Sequence, residues 1–226
     1  MLVIAEPYFR FSQSLGPTRL EGAAADLLDR VQPLVTAAYA DTLRGLPLRV
    51  SVRVERGSTK VWVTITALAG ALISYGGIRQ SIDYLIADAK LVKALVEPIV
   101  APSLSLGNVD PSYQQRRLGV PGQLRRLFAQ VERREISAEE ATQRAVDLLY
   151  KQGGPQALEE APGITERLSR EFRETLLSPS PHRHRQPRDA PYMPVLAAEA
   201  EPIPGRRRSG VVAARDATGK LIVSTY

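Results

Sequence analysis

The chain has 226 residues, of which 44 % are hydrophobic, enough to fill a core, so a chain without fixed structure throughout is excluded. It contains no cysteine, which excludes disulfides, thiolate metal sites and cysteine nucleophiles together and fits a reducing compartment. The net charge of +6 is unevenly placed: residues 1–109 carry eleven basic and nine acidic groups, residues 110–176 eleven of each, and residues 177–226 eight against four. A folded domain built to grip phosphates concentrates charge on itself, so nucleic acid is not the expected partner. Only five of the thirty basic residues are lysine, a bias that suggests a GC-rich bacterial genome.

Residues 2–12, with Val3, Ile4, Tyr8, Phe9 and Phe11, predict a strand that Pro7 demotes to an edge or a bulged position. Glu6 and Pro7 also interrupt the apolar run, and no basic segment precedes it, so a signal peptide is not expected. Thr18 and Glu21 then form a capping box, in which each residue satisfies a backbone donor of the other. Leu20, Ala24, Leu27, Val31, Leu34 and Ala38 follow at helical spacing, with a kink or a junction expected at Pro33 and an end at Gly45.

Leu48, Val50, Val52 and Val54 alternate with Arg49, Ser51, Arg53 and Glu55. After the turn at residues 56–59, Val61, Val63 and Ile65 alternate with Trp62, Thr64 and Thr66. Period two in both arms predicts an antiparallel hairpin with one dry and one wet face. The second arm opens an uncharged run of eighteen residues, Val61 to Ile78. Such a run crosses a membrane, lines a core or faces a partner. A bilayer span needs about twenty predominantly apolar residues, and Thr64, Thr66, Gly70, Ser74, Tyr75, Gly76 and Gly77 dilute this one. The core is therefore the first reading, and insertion of residues 61–97 into a membrane is the alternative. Ala71, Tyr75, Ile78, Ile82, Leu85, Ala89, Val92 and Val96 give the stripe of a long helix ending before Pro98.

Beyond a loop at residues 98–122, Leu124, Leu127 and Val131 mark one helix, and Ala141, Ala145, Leu148 and Leu149 a second that Ser137 and Glu140 cap. The paired leucines Leu124 and Leu127, then Ile136, Ser137, Glu139 and Glu140, and the closing Leu148 and Leu149 resemble the short C-terminal domain (SHOCT-like) helical hairpin family over residues 123–152. Arg134 stands where that family favours a turn glycine, and Ala141 where it favours an aromatic. The resemblance implies self-association or docking through these leucines and carries no catalytic residue; a hairpin packed on its own domain is the other reading. Ile164, Leu168, Phe172 and Leu176 predict one more amphipathic helix. Residues 177–209, rich in proline and arginine, read as a disordered basic linker, and residues 210–226 as a small hairpin that must dock on the sheet edge, another subunit or a partner.

Chemistry finds few candidates. His182 and His184 lie in the linker between arginines, a poor cation site, and neither a Walker loop nor a dinucleotide glycine motif is present. Tyr75, Arg79 and Asp83 fall on one helical edge, either as an anion or acid–base site or as an ordinary rim ion pair, beside a glycine pair (Gly76, Gly77) suggesting a break, a close approach or a hinge. On the wet hairpin face Arg49, Arg53, Lys60 and Trp62 could stack and neutralise a single strand, or simply solvate the sheet.

The expected molecule is α+β: a small antiparallel sheet with a kinked helix and a long helix on one face over residues 1–107. A helical appendage at 108–176, the linker and the terminal hairpin follow. No cofactor or metal is expected. The expected role is a non-enzymatic bacterial interaction or assembly protein, cytoplasmic or membrane-associated, that self-associates through its helices and holds a protein partner by its tail. A membrane pore or anchor is the second reading, and weak nucleic-acid binding through the tail arginines the third.

Overall fold

The computed structural model describes residues 1–16, 19–55, 59–74, 76–106, 111–177, 210–216 and 218–226. Thr18, Tyr75, the turn residues 56–58 and the linker with its histidines and arginines lie outside that set.

The alternating hairpin forms as its period requires, β2 (Leu48–Glu55) against β3 (Lys60–Ala67), in unbroken register from Leu48 opposite Ala67 to Glu55 opposite Lys60. It is the centre of a six-stranded sheet. β1 (Leu2–Arg10) lies along the other side of β3 and β4 (Tyr113–Arg117) beyond it; β5 (Gly210–Arg215) lies along β2, with β6 (Leu221–Thr225) outermost. The order is β4-β1-β3-β2-β5-β6 and every pairing is antiparallel. β1 is thus an inner strand, contrary to the edge position predicted from Pro7. β4 covers it, and the strand carries a register shift between Val3 and Ala5, ahead of Pro7. β4, YQQRR, has no apolar alternation and left no strand signal in the sequence.

The dry face carries the helices. α1 (Leu20–Ala38) lies over β2 and β5, with Leu20, Ala24, Leu27, Leu28, Val31 and Val35 buried. It runs through Pro33, and the interruption falls instead at Tyr39, before the short α2 (Ala40–Leu43). The chain leaves α2 through Arg44 and Gly45, both at positive φ.

The uncharged run is resolved into two parts. Val61, Val63, Ile65 and Ala67 belong to β3, Ala69–Ile73 to a 3-10 turn, and all of these but Gly70 and Ile73 are buried. The chain breaks at the glycine pair, and α3 (Ile78–Ser103) starts after Gly77, so the helix does not begin at Ala71. It also continues past Pro98 to Ser103, with Pro102 inside it. Each proline frees the carbonyl four residues earlier, at Ala94 and Pro98, and both residues lie on the exposed side of the helix, where solvent can satisfy the carbonyl. Ile82, Leu85, Ala89, Val92 and Val96 are buried against the sheet and α1. Among the described residues no helix is long and apolar enough to cross a membrane.

α4 (Gly119–Glu132), α5 (Ala138–Gly153), α6 (Gln156–Glu159) and α7 (Ile164–Leu177) form a cluster that shares this core. α4 packs on β1 and α3. Gly119, at φ +54°, is needed there: a Cβ would stand 2.1 Å from the Val3 carbonyl oxygen. The Phe128 and Phe172 rings, 4.4 Å between centroids, join α4 to α7. α4 ends in a Schellman turn, with Arg134 N–H donating to the Val131 carbonyl and Glu135 N–H to that of Gln130, and Arg134 itself at φ +57°. Ser137 Oγ then accepts from Glu140 N–H (3.1 Å) and starts α5.

Candidate interaction surfaces

The helix-free face of the sheet carries a transverse row fixed by register: Gln115, Tyr8, Trp62, Arg53, Val212 and Ser224, one from each strand. The Tyr8 and Trp62 rings are 5.0 Å apart, and Tyr113 meets Tyr8 edge-on at 6.0 Å. The Arg53 guanidinium lies 4.0 Å over the Trp62 ring and that of Arg117 5.6 Å over Tyr8. Arg117 is tied to Glu6 (3.4 Å), while Arg53 Nε stands 4.0 Å from Glu55 without a hydrogen bond; Glu55 also faces Lys60 (3.8 Å) and accepts from the Tyr226 hydroxyl (3.2 Å). Burial raises the Tyr8 hydroxyl above its ordinary pKa. The rings are 7 % (Trp62) and 8 % (Tyr8) exposed, so a base could stack on Trp62 only by displacing Arg53. Arg49 shares this face, opposite Thr66, but lies four residues from Arg53, roughly 13 Å along the strand, and does not join the cluster. Tyr8, Tyr113 and Arg117 went unnoticed in the sequence because only pairing of β1 with β3 and β4 brings them to the tryptophan.

Arg79 and Asp83 do not form a site with each other. Arg79 pairs with Glu132 of α4 (2.6 Å) and lies 5.9 Å over the Phe128 ring, while Asp83 faces Arg125 (3.7 Å). Two ion pairs thus lace α3 to α4. Glu171 of α7 closes the same corner, accepting from Ile78 N–H (2.7 Å) and Arg79 N–H (3.0 Å).

The hairpin leucines divide. Leu124 and Leu149 are completely buried within the chain's own core, and Leu127 and Leu148 are partly buried against it. Leu124 and Leu149 therefore have no surface to offer another molecule.

An apolar surface does exist on the outward side of α3. Tyr84 is 43 % exposed, Leu91 49 % and Leu95 36 %, and the exposed Ala87, Ala94 and Pro98 fill the intervals. The gaps of 3, 4, 3, 1 and 3 form a second stripe opposite the buried one. The signal is present in the sequence, but the stronger stripe masks it. Asp88 lies within this row, half-buried, with Oδ2 lacking a hydrogen bond; burial is the main cause that raises its pKa, and Asp41 adds to it, while Thr42 opposes by donating to it. The buried Tyr39 hydroxyl nearby is likewise unpartnered and pushed up by burial and by Asp88. Among the described residues no three His, Cys, Asp or Glu side chains gather as metal ligands would.

Fold and surfaces together define an α+β protein with a one-sided antiparallel sheet, an aromatic–arginine cluster on the open face and an apolar row on its longest helix. No family model matches the chain, and neither the curated proteins nor the solved structures contain a match.

Proposed function

We propose that this is a non-enzymatic interaction and assembly protein that self-associates through the outward row of α3. The observation that carries the reading is the exposure of Leu91 and Leu95 in line with Tyr84 on a 26-residue helix whose opposite stripe is spent on the core. Rows of this kind, spaced at three and four residues, bury themselves against a second helix of the same pattern. The helix expected to mediate contact is thus kept, but through a different stripe from the one at Ile82, Leu85, Ala89, Val92 and Val96. Insertion of residues 61–97 into a membrane loses support, since the dry face of β3 and the buried stripe of α3 already fill the core.

Light scattering of the purified chain is expected to give a mass that rises with concentration toward a dimer. Leu91→Glu should hold it at the monomer mass, because Leu91 is exposed and its replacement leaves the core intact. A wild-type monomer up to high micromolar concentration overturns the reading.

A further inference from the structure

The two edges of the sheet differ. β4, YQQRR, is polar and carries two arginines, the usual protection of an edge against pairing with another chain. β6, LIVST, holds no charge and no proline, and Ile222 (47 %) and Val223 (37 %) are exposed on it. Gly210 and Tyr226 exchange both backbone hydrogen bonds (3.0 and 3.1 Å), and Asp216 N–H reaches the Lys220 carbonyl (3.0 Å). Antiparallel pairing alternates, so Ser224 and Ile222 likewise turn their backbone groups toward β5, while Leu221, Val223 and Thr225 turn theirs outward. Three N–H and three C=O groups in a row thus lie along the outer edge, with no strand partner among the described residues.

We propose that this edge pairs with β6 of a second copy, antiparallel about a twofold axis at Val223. The register decides the occupant. With Val223 opposite Val223, Leu221 falls opposite Thr225 and Thr225 opposite Leu221, so all six outward groups of each strand pair and no charge meets a like charge. Every one of these residues turns its side chain to the dry side, where the partner Val211 and Ala213 on β5 are buried. A one-residue slip would set outward groups against inward ones and lose every bond. The pairing would continue the six-stranded sheet of one copy into that of the other. It is independent of the α3 row and survives that row's failure.

The chain has no cysteine, so a single introduced one reports the register. Directly opposed, hydrogen-bonded residues have Cα atoms about 5.5 Å apart, within disulfide reach. Val223→Cys should therefore give a disulfide-linked dimer on mild oxidation of the purified chain. Ser224→Cys, offset from its own copy to a diagonal of roughly 7–8 Å, should not. The amides of Leu221, Val223 and Thr225 should gain protection from hydrogen exchange as concentration rises. Val223→Lys, which sets two ammonium groups face to face, should abolish that gain while leaving the melting temperature of a dilute sample unchanged. Equal cross-linking of the two cysteine variants, or outward amides that exchange freely at every concentration, overturns the proposal. Protection that appears only when an unrelated strand-forming peptide is added also overturns it, in favour of a different occupant. Leu91→Glu should leave the Val223→Cys cross-link intact, which separates this contact from the helical one.

Discussion

The carboxylate of Glu171 caps the first turn of α3 at Ile78, taking the N–H groups of Ile78 and Arg79 at 2.7 and 3.0 Å from a helix 93 residues later in the chain. Backbone donors at a helix start have no partner within the helix, and a carboxylate also suits the positive end of its dipole. Gly77 makes room, since a Cβ there would stand 3.3 Å from Glu171 Oε1. Glu171→Ala should cost about 1–2 kcal/mol in urea unfolding, the scale of a lost N-cap. Glu171→Gln, which keeps an acceptor, should cost less. Equal losses for the two would show that the carboxylate's hydrogen bonds are not the source.

The Phe128–Phe172 contact joins α4 to α7, and both rings are buried. Phe172→Ala should cost about 3–5 kcal/mol, the usual range for truncating a buried aromatic ring. Because these helices share the core of the sheet, the loss should appear as a lower midpoint of one transition monitored by circular dichroism, not as a separate early melting of residues 119–177.

Trp62 is the chain's one tryptophan, and Arg53 covers it at 4.0 Å. Arg53→Ala should expose the indole: its fluorescence should shift to the red and acrylamide should quench it more strongly. Stability should fall by about 0.5–2 kcal/mol, the span of a cation–π contact between exposed and desolvated limits. Unchanged quenching would mean that the guanidinium does not shield the ring.

Arg134 occupies the left-handed region at φ +57°, where a side chain other than glycine costs roughly 1–2 kcal/mol. Arg134→Gly should stabilise the fold by at most about 1 kcal/mol, the gain being reduced by glycine's greater freedom in the unfolded chain. Thermal melting of the two proteins measures it.

Asp88 gives the pH dependence a sign. Its pKa is raised, chiefly by burial, so the folded protein holds this proton more tightly than the unfolded chain. Its contribution is fully present below the ordinary carboxylate value of 3.8 and is lost as pH rises through the raised one. Glu97, held low mainly by its hydrogen bond from Lys93, and Asp216, held low mainly by Thr218, act in the opposite sense and lose their contribution as pH falls. Asp88→Asn should remove the loss that Asp88 causes on going from acid to neutral pH, and leave the contributions of Glu97 and Asp216 in place, as pH-dependent urea unfolding of the two proteins would show. In the proposed α3 contact, the variant should also tighten assembly at neutral pH, where ionised Asp88 would otherwise be desolvated.

Much of the architecture was already written in the chain. The β2–β3 hairpin, the buried stripes of α1 and α3, the α4–α5 turn, the Ser137 cap and the terminal hairpin are all local: their period, caps and turn residues lie within a few dozen positions. Tertiary structure decided the rest. β4 has no strand pattern of its own and exists because β1 presents it with an unpaired edge; once it is there, Pro7 sits in an inner strand. α3 passes through Pro98 because its exposed side lets water replace the missing bond, a fact about which side faces out that no local rule contains. Tyr8, Trp62, Arg53 and Tyr113 meet because strand register places distant residues opposite one another. Of the two apolar rows on α3, only packing on the sheet determines which is buried and which stays exposed. Local patterns fix elements because their free energy comes from near neighbours; surfaces are assembled from side chains far apart in sequence, and only the packed fold selects them.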